Sequence, residues 1–85
     1  MRVIAEIIKE TEKAFFLGLK AATPTGGDMV VKAWVPKSIT KDAPTFYGEK
    51  TMEVAAWKIS KIEAEATSYL PFRPSILDMT GAVEH

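Results

Sequence analysis

The chain has no cysteine, one histidine, no long apolar run and no excess of charge of either sign. Without cysteine there is no disulfide, no thiolate zinc site and no cysteine nucleophile. The one histidine, His85, is the last residue. Chain ends fray, so it is expected to serve neither as general base nor as metal ligand, and a Ser–His–Asp constellation has no internal histidine to use. No apolar stretch approaches the ~20 residues that a bilayer span needs. The opening residues, Met1 to Ile8, are interrupted by Glu6 and read as a strand and not as a signal peptide. A cytoplasmic protein without membrane contact is the expectation.

Eleven basic residues balance eleven acidic ones. Duplex-binding domains carry a basic excess, because their affinity comes largely from neutralised phosphates. The balance is uneven along the chain: residues 1–41 hold seven basic residues against four acidic. With 85 residues and 47% apolar composition, one small domain with a thin core is expected.

Alternation of apolar side chains marks three strands. Over 2–10, Val3, Ala5 and Ile7 share one face, and Ile4, Glu6 and Ile8 the other. Over 13–20, Phe15, Leu17 and Leu19 oppose Ala14, Phe16 and Gly18. Over 29–35, Val31, Ala33 and Val35 oppose Val30, Lys32 and Trp34. Thr11-Glu12 is a tight break, and residues 22–28, with Pro24, Gly26 and Gly27, form the clearest turn. Residues 37–45 read as a loop, and 46–54 as an ambiguous stretch that includes a short strand. Residues 55–69 read as a helix with Ala56, Ile59, Ile62 or Glu63, and Ala66 near one stripe. Pro71 stops it.

The expected fold is α+β: an antiparallel β-meander of three to four strands, open to curling into an SH3-like or OB-like half-barrel, with one C-terminal helix. Residues 1–70 form the domain and 71–85 an apolar tail.

Two segments, Glu10-Thr11-Glu12-Lys13-Ala14 and Trp34-Val35-Pro36-Lys37-Ser38, resemble the E-T-[DE]-K-A and W-[ILV]-P-K-S patterns of a group of very small phage, prophage and mobile-element proteins. In that group a short strand then leads into a Trp-containing helix; here Met52 to Trp57 stands in that place, with Ala55 where many members have proline. The resemblance covers about residues 4–62. It implies fold and origin more than an activity. The turn at 24–28 and the tail are particular to this chain.

Phe16 and Trp34, with Lys32 and Lys37 beside them, have the chemistry to stack bases of a single nucleic-acid strand and meet its phosphates; the competing reading buries both rings beneath the helix. Pro36-Lys37-Ser38 is either an anion-binding corner or a plain strand exit. Trp57 reads as a core anchor, the alternative being a partner-facing hot spot. The tail residues Phe72, Ile76, Leu77 and Met79 are the partner-binding candidates, facing another protein or a second copy in a homodimer; the competing reading folds the tail back on its own domain. The carboxylate pairs Glu10/Glu12 and Glu63/Glu65 lack the cleft that acid–base chemistry needs. Gly26-Gly27 lacks the strand-to-helix context of a phosphate loop. No enzyme activity, cofactor or metal is expected. The reading is a small binding module acting through protein–protein contact, one version being a phage inhibitor of a host system; single-stranded nucleic-acid binding and a homodimeric accessory domain are the alternatives.

Overall fold

A computed structural model describes residues 1–82; His85 lies outside them. The fold is α+β. Among the described residues, six strands, β1 (Arg2–Glu10), β2 (Ala14–Ala22), β3 (Asp28–Pro36), β4 (Thr40–Phe46), β5 (Glu49–Val54) and β6 (Ser75–Ile76), accompany one helix, α1 (Ala56–Ala66). All pairings are antiparallel, in the order β3-β2-β1-β5-β4, with β6 added to β2. The three expected strands form as a meander. Two corrections concern the chain beyond Pro36: the sheet has six strands and not three or four, and the helix is not the last element, because β6 comes after it.

β1 is shared between two pairings. Its first residues, Arg2 to Ile4, pair with β5, and Ala5 to Glu10 pair with β2. Val3 and Ala5, at the junction, are fully buried. β1 and β2 therefore splay apart at the Arg2 end, and the tail fills the gap. Ser75 and Ile76 pair with Ala22 and Ala21. The Leu77 amide donates to the Lys20 carbonyl (3.1 Å) and the Met79 amide to the Arg2 carbonyl (2.7 Å). The Arg2 amide donates to the Thr80 hydroxyl (3.0 Å). Backbone groups left orphaned by the splay are thus satisfied. Asp78 sits in the same turn, and the Thr80 hydroxyl and amide hold its carboxyl below the usual carboxylate value.

Residues 37–45 are not a loop. Lys37–Ile39 make one 3-10 turn, and β4 comes directly after it. Pro44 has no N–H for a ladder. β4 is an edge strand, where that loss is tolerated, and the register shifts between Ala43 and Phe46 beside it. β4 and β5 join through Tyr47-Gly48, both at positive φ (47° and 78°), the geometry of a two-residue hairpin whose twist matches its strands.

The core gathers on one face of the sheet: Leu17, Leu19, Val31, Val35, Met52 and Val54 meet Ile59, Ile62 and Ala66 of α1. The helix ends at Ala66 and not at Tyr69. The Thr67 hydroxyl donates to the Ala64 carbonyl (2.6 Å) and the Ser68 hydroxyl to the Glu65 carbonyl (2.7 Å), so carbonyls of the last turn are capped locally.

Glu63 holds the tail to the helix. Its Oε2 accepts the Ile76 amide (2.8 Å) and its Oε1 accepts Arg73 Nη2 (3.3 Å). Ile76 is only 4% exposed. Glu63→Ala is expected to leave the Ile76 amide without this acceptor, costing about 1–3 kcal/mol of tail docking. Limited proteolysis with chymotrypsin reads this directly: cleavage after Phe72 and Leu77, both half-buried, should become faster than in wild type, with the 1–70 region still resistant. An unchanged rate would show that the tail is held by other contacts.

Candidate protein-binding surface

The two motif segments prove to be neighbours. Across the β2–β3 ladder Ala14 is opposite Pro36, and the Lys37 amide donates to the Lys13 carbonyl (2.8 Å). Lys37 Nζ pairs with Glu10 and lies 4.9 Å from the centre of the Phe15 ring. Thr11 closes the β1–β2 turn by accepting the Ala14 amide on its hydroxyl (3.1 Å) while its own amide donates to the Ala14 carbonyl (2.8 Å). Glu10 to Ala14 and Trp34 to Ser38 therefore brace one end of the meander. The lysine of the supposed anion corner already has a carboxylate and a ring for company.

The other face of the meander is open. α1 lies against the Leu17/Val31/Val35 side, so the opposite side, with Ile8, Phe16, Gly18, Val30, Lys32 and Trp34, has no helix over it. Phe16 and Trp34 are opposite each other in register, with ring centroids 5.0 Å apart and planes tilted by 38°. Trp34 is 46% exposed, Val30 56% and Ile8 40%. Ile8 lies where β1 shifts register, between Ile7 and Lys9. Gly18 stands at the centre of this face. A Cβ there would lie 3.0 Å from Val30 Cγ1 and 3.3 Å from Ile8 Cδ1, so the absent side chain lets these two approach across β2. Below them is a shallow groove of ≈ 330 Å³, floored by Ile4, Gly18 and Val30. Its rim holds Glu6, Asp28 and Glu49 against one cation, Lys20, which pairs with Glu49 (3.4 Å).

The aromatic pair expected from the sequence is thus present and outward, with Lys32 exposed on the same face. Lys37 is not part of it, being engaged by Glu10 and Phe15. The tail residues do not make one exposed patch. Ile76 is in the core, while Phe72, Leu77 and Met79 are half-buried. Trp57 is not a core anchor: it is 62% exposed, because two residues along a helix turn it about 200° from the inward Ile59. Sequence reasoning missed Ile8 and Val30 as surface residues. Alternation had assigned them to this face, but whether the helix would cover it is decided by tertiary packing.

No protein-family model, curated protein or solved structure matches this chain.

Lys37→Ala should lower stability by no more than about 1 kcal/mol, since the Lys37–Glu10 pair is largely solvent-accessible. Urea unfolding measures it. A loss well beyond that would mean the brace is a main support of the fold.

Proposed function

We propose that this chain is a non-enzymatic protein-binding module that engages a partner through the open face of its meander, centred on Trp34. The supporting observation is the uncovered cluster of Ile8, Phe16, Val30 and Trp34, since contiguous exposed apolar side chains on so small a domain mark contact surfaces. Tryptophan at the centre of such a surface is suited to be an energetic anchor. A phage or mobile-element origin, a cytoplasmic location and inhibition of a host system belong to the same proposal. They rest on the resemblance of the Glu10–Ala14 and Trp34–Ser38 segments. The bend of β1 between its two pairings is what an SH3-like or OB-like half-barrel would use.

Single-stranded nucleic-acid binding is the second reading, favoured by the exposure of Trp34 beside Lys32. Three features weigh against it. Phe16 and Trp34 pack on each other and are not splayed for bases. Lys37 is engaged. The adjoining groove has an acidic rim.

The test has two arms. Fluorescence anisotropy with labelled oligo-dT of about 20 nucleotides at low salt should show no saturable binding; saturable, salt-sensitive binding lost in Trp34→Ala would establish the second reading instead. In the other arm, displayed peptides selected on wild type should bind Trp34→Ala at least about tenfold more weakly. Selected peptides indifferent to Trp34→Ala would contradict the proposed surface.

A further inference from the structure

The two borders of the sheet are unlike. β4, at one border, is protected: it holds Pro44, a register shift between Ala43 and Phe46, and the charged pair Lys41-Asp42. These are the features by which sheets avoid pairing with other chains. β3, at the other border, has no proline before its last residue and no register shift, and its two charges, Asp28 and Lys32, are of opposite sign. It runs nine residues in uninterrupted register with β2, from Ala14–Pro36 to Ala22–Asp28. Its far side has no strand partner among the described residues. The helix does not close that side, since between Lys32 and Trp34 of β3 and Lys58 and Tyr69 of the helix region lies a groove of ≈ 350 Å³.

We propose that β3 is a self-association edge, at which a second copy of this chain adds its own β3 antiparallel, about a two-fold axis through Val30. The residues choose the register. With the axis at Val30, Asp28 of each copy is opposite Lys32 of the other, Met29 is opposite Val31, and Val30 meets Val30. Opposite charges, apolar pairs on the helix side and apolar pairs on the open side all match. Shifting the axis to Lys32 sets the two lysines against each other. Shifting it to Val31 sets Asp28 against Trp34 and Val30 against Lys32. Asp28 and Lys32 are both exposed, and neither takes part in an ion pair or side-chain hydrogen bond among the described residues, so both charges are available. Val30, the residue on the axis, is more than half exposed. A two-fold, self-complementary contact is the commonest way for small chains to associate. The dimer would join two sheets into one and double the open face that holds Trp34.

The absence of cysteine makes a direct test simple. Residues opposite each other in an antiparallel pair have Cα atoms about 4.5–5.5 Å apart, within the range a disulfide spans. Val30→Cys should therefore oxidise readily to a covalent dimer, and Thr45→Cys, in the protected border strand, should not. Sedimentation velocity of the wild type over a wide concentration range should show a reversible dimer. Asp28→Lys should weaken it by about tenfold or more, because two attractive cross-strand pairs become repulsive. The double variant Asp28→Lys with Lys32→Asp should restore it to near the wild-type level. Both positions are on the surface, so the variants are expected to fold, and the restoring double variant shows that charge pairing and not misfolding caused the loss. A wild type that stays monomeric throughout would overturn the proposal. So would a dimer indifferent to Asp28→Lys, a double variant that fails to recover, or equal cross-linking of Val30→Cys and Thr45→Cys.

Discussion

The fold depends on one strand having to serve two partners. β1 gives its first residues to β5 and its later ones to β2, and Val3 and Ala5 fill the junction with no solvent contact. Beyond Ala5 and Leu19 β1 and β2 no longer pair, so the backbone groups that would have faced each other lose their partners, and buried unpaired groups are costly. The tail resolves this. Its pairing with β2 and its bonds to Arg2 occupy the place that β1 and β2 vacate in diverging. Residues 75–80, set apart in the sequence as a tail, are thereby part of the sheet's construction.

The same arrangement decides which surfaces remain. One short helix is available, and its inward stripe of Ile59, Ile62 and Ala66 is matched to the Leu17/Val31/Val35 face. Nothing else among the described elements covers the reverse side. In a domain of this size the apolar residues there, Ile8, Val30 and Trp34, are therefore a standing exposure. The contrast between a protected β4 and an unprotected β3 has the same character. A chain that breaks one border with Pro44 and a register shift, but leaves the other straight, has its edges in different roles.

The first three strands were legible because each alternates with period two and is bounded by turn residues; Thr11 and the Pro24–Gly27 turn fall where the ladders break. β4 was not legible. Thr40 to Phe46 has little alternation and holds a proline, and its strand character comes from pairing with β5 and not from its own pattern. The helix was readable from its stripe, but its end was not, since Thr67 and Ser68 cap it by bonding back to Ala64 and Glu65. Among site residues, period two put Phe16, Lys32 and Trp34 on one face. It could not say that this face lacks a cover. The ion pair that draws Lys37 away from the aromatic pair joins residues 27 apart in the chain, beyond any local pattern. Trp57 was misjudged because aromatic size suggests burial, whereas helical phase sets it outward.

The open face of the meander carries the proposed function, and Trp34 reports on it. Acrylamide quenching of tryptophan emission in Trp57→Phe isolates that one ring. The structure predicts quenching efficient enough to mark a half-exposed indole, lowered when the protein is concentrated or bound to a partner. A Trp34 emission that is blue-shifted and shielded in the dilute, isolated protein would mean that this face is covered, and would contradict a binding surface there.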